Sequence, residues 1–174
     1  MPESLESMLT GGHPNSLGRT LEVVDLILQD HHLLEALYSC YQSEDEVVRL
    51  RTSNAMKRIC KVHPEWIAPF LPRLLKELTQ LDQASAQWTL AQLFAMLEGY
   101  MTADQRADAR DHMKHNLAHH TDWIVLNTTM EVLFEWSKKD PPLREWLPSQ
   151  LERHASDRRK SVSKRATKYL NKVG

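Results

Sequence analysis

The sequence predicts an all-α protein built from stacked helix pairs, and three observations support that prediction. Leu occurs 25 times, against 13 occurrences of Val and Ile together, which favours helix over sheet. Glycine is nearly absent from the interior, since Gly99 is the one glycine between Arg19 and Gly174. A pattern of apolar residues also recurs at spacings of 38, 39 and 37 residues. We therefore expect a right-handed α-α superhelix of about four helix pairs plus an N-terminal helix.

The repeated pattern is a stretch of helix that starts at Val48, Ala86, Val125 and Val162. Its first, fifth, eighth, ninth and twelfth positions are apolar apart from Thr52 and Thr129, and these positions share one face of a helix. The segments between repeat as well, with the series Leu33, Leu71, Ala109, Leu147 and the series Leu37, Leu75, Met113, Leu151. A single helix pair cannot bury such a face alone, so stacking of neighbouring pairs is predicted.

The same pattern sets the predicted helix boundaries. Helices are expected over residues 17–29, 31–42, 45–62, 64–81, 83–98, 102–119, 121–138, 141–155 and 157–173. Pro69 and Pro72 fall inside the fourth, so that helix should be kinked or split. Signals for helix ends occur at Ser43, Gly99, Thr102 and Asp140. Residues 1–15 contain a Gly-Gly-His-Pro run and are predicted to form a mobile tail, which leaves residues 16–174 as one domain.

Three segments resemble the HEAT-repeat family of α-solenoids. Residues 70–78 (FLPRLLKEL) resemble the first helix of a HEAT repeat, and residues 44–49 (EDEVVR) followed by Ala55 and Met56 resemble its turn and second helix. Residues 162–170 (VSKRATKYL) resemble that second helix again, so the resemblance covers roughly residues 31–173. The position of Arg49 is taken by Gln87, Leu126 and Ser163 in the later units. Armadillo-like stacking is a close relative that the sequence does not separate from HEAT.

The resemblance implies a function as well as a fold. HEAT solenoids present their second helices along a concave surface that holds a partner, so a non-catalytic scaffold for protein-protein interaction is expected. Its predicted contact residues are Arg51, Asn54, Arg58, Gln92, Met96, Glu131, Glu135, Lys168 and Lys172. This series is basic, then neutral, then acidic, then basic, which suits a protein or peptide of mixed charge. An ordinary solvated helix face is the competing interpretation.

The C-terminal helix offers a second candidate surface. Residues 151–174 have a net charge of +6, and a weak anion site is predicted at Arg158, Arg159, Lys160, Lys164 and Arg165. The same stripe also suits the polar outer face of a capping repeat. The alternative function is a nucleic-acid-binding protein similar to the helical-repeat alkylpurine DNA glycosylases, with Asp122 beside Trp123 as the pair that invites comparison. The net charge of −7 before residue 151 counts against it.

Catalytic and cofactor motifs are absent from the sequence. It has no P-loop, no GxGxxG and no GxSxG element, so no enzyme activity, catalytic residue or cofactor is predicted. His112, His115 and His119 recur at helical spacing, but they are predicted to face solvent and to form no functional metal site.

The sequence also bears on location. Cys40 and Cys60 lack the spacing of a zinc site or a disulfide scaffold and are expected to be buried thiols. With no run of about 20 apolar residues and no basic leader, no membrane association and a cytoplasmic location are predicted.

Overall fold

A computed structural model describes residues 2–173, and within that range the chain forms helices and connecting turns without a strand. The helices are α1 (Leu5–Leu9), α2 (Thr20–Gln29), α3 (Leu34–Ser39), α4 (Glu46–Val62), α5 (Pro64–Ile67), α6 (Leu71–Lys76), α7 (Ala84–Leu97), α8 (Ala103–His119), α9 (Trp123–Ser137), α10 (Pro141–Ala155) and α11 (Lys160–Val173). The all-α prediction is confirmed for these residues. None of the helices described is both long and apolar enough to cross a membrane.

Helices α4, α7, α9 and α11 contact one another in chain order, and α2 packs against α4. These four helices carry the repeated apolar pattern, and we call them the second helices. The intervening helices pack beside them: α3 against α4, α8 against α9, and α10 against both α9 and α11. Helix α6 also contacts α8. The repeated segments of the sequence are therefore neighbours in space.

The core is built from the repeated apolar positions. All twenty positions are buried except Leu170 and Val173, which lie on the last second helix and are partly buried. Thr52 is fully buried, and its hydroxyl donates a hydrogen bond to the Val48 carbonyl at 2.7 Å. A threonine therefore fits an apolar position because its polar group is satisfied inside its own helix. Leu170 and Val173 both belong to α11, the last helix of the row within residues 2–173.

Prolines divide the fourth predicted helix, as expected. After α5 the chain makes a 3₁₀ turn over Ala68–Phe70, and α6 then begins at Leu71 with Pro72 in its first turn. Proline lacks the backbone donor that an interior helical position needs, so the helix breaks where Pro69 and Pro72 fall.

The helix-end signals are only partly confirmed. Thr102 forms a capping box, and Asp140 accepts a hydrogen bond from the Leu143 backbone amide at 3.1 Å. The predicted helix-start signal at Ser43 is wrong: Asp45 is the N-cap of α4, because its carboxylate accepts from the Val47 amide at 2.8 Å. Gly99 lies in a 3₁₀ turn without the left-handed backbone of a C-terminal glycine cap.

The N-terminal segment differs from its prediction. The sequence predicts a mobile tail over residues 1–15, whereas the structure forms α1 and buries Leu5, Met8 and Leu9 against α2, α3 and α4. The chain then crosses the surface to Thr20, where α2 begins. The first and last residues of the predicted ranges, Met1 and Gly174, lie outside the described residues.

Candidate functional site

The seventh and eleventh positions of the second helices form what we call the open face. Counting from Val48, Ala86, Val125 and Val162 as position one, they are Asn54, Arg58, Gln92, Met96, Glu131, Glu135, Lys168 and Lys172. At 100° per residue, position seven lies roughly 145° from the centre of the apolar positions, so it points away from the core. The first four residues are half-buried and the last four are exposed. The open face is therefore most accessible on α9 and α11.

Arg51, the remaining predicted contact residue, is not available on this face. Only 1% of it is exposed, because residues 9–16 fold over its side chain. Its Nη1 atom donates to the carbonyls of Leu9 and Gly11 at 2.9 and 2.6 Å, and Nη2 donates to the His13 carbonyl at 3.2 Å. Its Nε atom donates to the Ser16 carbonyl at 3.2 Å. The prediction that Arg51 faces a partner is therefore corrected: Arg51 anchors the chain's own N-terminal segment.

Neighbouring segments of the chain explain this correction. Position four, where Arg51 lies, is roughly 85° from the centre of the apolar positions, on the same flank of the helix as position eleven at roughly 105°. The equivalent residue of α7, Thr89, is buried. The equivalent residue of α11, Arg165, donates to Glu131 of the adjacent second helix at 3.1 Å. Position four therefore faces a neighbouring segment of the same chain.

The charges of the open face are partly neutralised within the chain. Glu131 pairs with Arg165, and Glu135 pairs with Lys138 at 2.8 Å. The side chains of both acids nevertheless remain 58% exposed. On the first second helix, the Nε atom of Arg58 donates to the Asn54 side-chain oxygen at 2.6 Å.

The predicted anion site divides into engaged and free residues. Arg159 donates to Asp157 and to the Thr121 carbonyl, and these bonds hold the start of α11 beside the start of α9. The guanidinium of Arg159 also lowers the pKa of Asp157 to about 2. Arg165 is occupied by Glu131. Among residues 158–172, the exposed cations without an acidic partner in the described part of the chain are Arg158, Lys160, Lys164, Lys168 and Lys172.

A small cavity that the sequence did not indicate opens between α7 and α9. Its volume is about 280 Å³, and its lining includes Glu98, Glu131, Glu135 and Trp136. Arg106 pairs with Glu98 at 2.6 Å and also lies over the Trp136 ring. The sequence missed Glu98 because it belongs to the 3₁₀ turn after α7, outside the repeated positions.

Of the Asp122–Trp123 pair considered for nucleic-acid chemistry, only Trp123 is free to contact a ligand. Trp123 is 49% exposed at the start of α9. Asp122 is the N-cap of that helix, and its carboxylate accepts from the amides of Ile124 and Val125 at 2.8 and 3.0 Å. These bonds occupy the carboxylate in holding the helix terminus.

The histidines of α8 do not form one solvent-facing cluster. His115 and His119 are exposed, and their rings stack with centroids 4.5 Å apart. His112 instead turns towards α7, where its Nε2 lies 2.7 Å from the Gln87 side-chain oxygen. Burial lowers the pKa of His112 to about 4. Within residues 2–173, no group of three or more His, Cys, Asp or Glu side chains is arranged to hold a metal ion.

Both cysteines are free and buried. Burial raises the pKa of Cys40 to about 11 and that of Cys60 to about 12, so neither supplies a reactive thiolate near neutral pH.

Comparison with known proteins adds no family assignment. No protein-family model matches the chain, and no curated protein matches it at a significant level.

Proposed function

We propose that this chain is a HEAT-like α-solenoid, a right-handed superhelix of about four helix pairs, and that it acts as a non-catalytic protein-interaction module. Two observations support the architecture: the apolar pattern recurs every 37 to 39 residues, and the helices that carry it contact one another in sequence order. A partner protein or peptide binds along the open face.

The main support for partner binding is that acidic and basic side chains lie side by side on the accessible part of that face. The cavity between α7 and α9 presents Glu98, Glu131 and Glu135 beside the ring of Trp136. Each acid already pairs with a cation of the chain, but the side chains of Glu131 and Glu135 remain 58% exposed and can contact a second cation. The next helix presents Lys168 and Lys172 without acidic partners in the described residues. A partner segment with a basic residue for the cavity and an acidic residue for the lysines would match both.

Gln92 gives this face a further polar contact. Its side-chain oxygen is buried and has no hydrogen-bond partner among the described residues. Buried acceptors are usually satisfied. A donor from a bound segment would satisfy this one after a small side-chain rotation.

The test is a charge reversal with a matched control. Proteins captured on the immobilised chain are purified, and the affinity of each is measured for wild type, for E131K/E135K, and for E145K/E152K on α10. We expect E131K/E135K to weaken binding by about tenfold or more, because each lost charge contact is worth roughly 1 kcal/mol. The α10 reversal should have little effect. Equal affinities for all three proteins would refute the assignment of the open face.

A second candidate function, nucleic-acid binding, is favoured by the lysine stripe. Lys160, Lys164, Lys168 and Lys172 are exposed and, at four-residue spacing, follow one another by about 6 Å along α11. Trp123 lies near the start of this stripe, because Arg159 joins the two helix termini. Affinity for an oligonucleotide that falls steeply with salt would support this candidate, and absence of binding near 0.15 M salt would remove it.

We also propose a cytoplasmic location, where the glutathione pool would keep Cys40 and Cys60 reduced.

A further inference from the structure

A second cavity, of about 420 Å³, lies between the connection from α6 to α7 and the C-terminal half of α8. Its polar lining includes Thr79, Asp82, Gln87, His112, Asn116 and His120. No lysine or arginine lines it, Asp82 is its one carboxylate, and His115 joins His112 and His120 as a third lining imidazole. The carboxylate of Asp82 favours a cation over an anion in this cavity.

Gln87 determines the hydrogen-bonding pattern of the cavity wall. Its side-chain nitrogen donates to the carbonyls of Leu78 and Leu81 at 3.2 and 2.8 Å. The reversed amide would place oxygen against two carbonyl oxygens, so the orientation is fixed. The side-chain oxygen of Gln87 consequently acts as an acceptor, from Asn116 Nδ2 at 3.0 Å and from His112 Nε2 at 2.7 Å.

This pattern leaves two acceptors without donors. His112 carries its proton on Nε2, so its Nδ1 has a free lone pair, and the low pKa keeps the ring neutral near pH 7. Asn116 directs its nitrogen to Gln87, so its oxygen is also free, although the residue is only 7% exposed. Neither atom has a partner among the described residues, and neither is sealed from solvent. Both residues line the cavity, which is the space into which these atoms open.

Thr79 and Asp82 add to this acceptor character, whereas His120, whose Nδ1 accepts from the Asp122 amide at 3.1 Å, presents an N–H donor. Thr79 donates its hydroxyl hydrogen to the Leu75 carbonyl at 2.7 Å and accepts from Gln80 Nε2 at 3.4 Å, so its oxygen keeps one lone pair for a further donor. Asp82 is exposed at the rim and adds a negative charge. The cavity thus presents several acceptors and one negative charge, which complement a positively charged hydrogen-bond donor.

We propose that this cavity binds an organic cation that donates hydrogen bonds, an alkylammonium or alkylguanidinium group. The same chemistry occurs in a free small molecule and in a lysine or arginine side chain of another protein. A transition metal is disfavoured, because the described residues hold no suitable group of three ligands. This site is separate from the open face and does not depend on the function proposed for it.

The experiment follows the imidazole nitrogens of the full chain by long-range ¹H–¹⁵N NMR during titration with methylguanidinium chloride. We expect a saturable change at His112 Nδ1 with a half-point below about 10 mM, because that lone pair accepts a new hydrogen bond. Tetramethylammonium chloride has the same charge but no donor, and it should produce no such change. A non-saturable response, or an equal response to tetramethylammonium, would overturn the proposal.

Two variants and one control locate the binding. D82N removes an exposed charge at the rim, and N116L removes the free oxygen while leaving the contact between Gln87 and His112. Each should weaken binding about fivefold or more. D25N, an exposed acid on α2, should bind like wild type. If D82N and N116L also bind like wild type, the cavity is not the site; D82N, a surface change, decides alone if N116L does not fold.

A capped peptide, acetyl-Gly-Ser-Arg-Ser-Gly-amide, distinguishes the two sources of the cation. Affinity at least tenfold higher than that of methylguanidinium would identify a protein side chain as the ligand. Equal or weaker affinity would identify a free cation.

Discussion

Arg51 and Arg165 occupy the same position of the repeated pattern at opposite ends of the row of second helices, yet their environments differ. Arg51 is buried among four backbone carbonyls of residues 9–16, without a carboxylate partner in the described residues. Arg165 is partly exposed and pairs with Glu131. Residues 9–16 cover the flank of α4 at Arg51, whereas the flank of α11 at Arg165 stays partly exposed within the described residues. The register of a repeat fixes the direction of a side chain, and the segment beside it determines what that side chain binds.

The largest expected loss of stability follows from replacing Arg51, and the same replacement of Arg165 is its control. R51M should destabilise the protein by about 3 kcal/mol, because four carbonyls lose their donor and the N-terminal segment loses its anchor. R165M removes only a solvent-screened ion pair and should cost less than about 1 kcal/mol. Urea unfolding of both variants measures the difference. Equal losses would show that burial does not distinguish the two positions.

Acid should destabilise the buried contacts of His112 and leave those of Arg51 intact. Backbone carbonyls and an arginine gain no proton in this pH range, whereas a histidine does. His112 has a pKa of about 4 in the fold, below its ordinary value of 6.5, so the unfolded chain binds more protons between these pH values. Stability is therefore complete above about pH 6.5 and falls as the pH drops towards 4. We expect a loss of about 2 kcal/mol between pH 7 and pH 5 from His112.

Urea midpoints at the two pH values test this prediction in wild type, H112L and the exposed control H32L. H112L should show a smaller pH dependence than wild type, although His154, whose pKa is also lowered by burial, continues to contribute. H32L should retain the full dependence. The assignment fails if H112L and wild type lose the same stability on acidification.

Glycine substitutions test the contact between Arg51 and the N-terminal segment that covers it. Gly18 has a φ of +52°, and a Cβ there would lie 2.9 Å from the Arg51 guanidinium. G18A should therefore cost about 1.5 kcal/mol. Gly99 faces open space without positive φ, so G99A should be neutral or stabilising by up to about 1 kcal/mol. Thermal unfolding compares the two, and a neutral G18A would contradict the tight contact.

The smallest expected change in stability concerns the ion pair between Glu131 and Arg165 at the C-terminal end of the row of second helices. A double-mutant cycle with E131Q and R165M should give a coupling energy of about 0.5 kcal/mol that falls with salt, since both side chains are solvated. Urea unfolding at low and high ionic strength measures it. A coupling above about 2 kcal/mol would mean that this end is as strongly fixed as the Arg51 end.

The sequence predicted the helices well because their signals are local and repeated. Apolar spacing located the second helices, and Pro69 with Pro72 located the break before α6. The covering of Arg51 was not predictable in this way. Residues 10–19 have no apolar period, and their position depends on hydrogen bonds to a residue 35 to 40 positions away. A repeat pattern describes only what the units share.

His112 shows the same limit within a single helix. Its angle from the apolar residues of α8 predicts exposure, but Gln87 of α7 covers that flank. The cavity beside Glu98 was missed because a 3₁₀ turn, not a helix face, provides part of its wall. In each case the deciding contact comes from another element, which one helix's periodicity does not encode.

Site-specific photocrosslinking shows directly whether a partner binds on the open face. A photoreactive phenylalanine analogue replaces Gln92 on α7 or, as the control, Glu145 on α10, and each protein is irradiated with a partner that binds the wild-type chain. We predict a crosslink from position 92 and none from position 145. A crosslink from position 145 alone would contradict it.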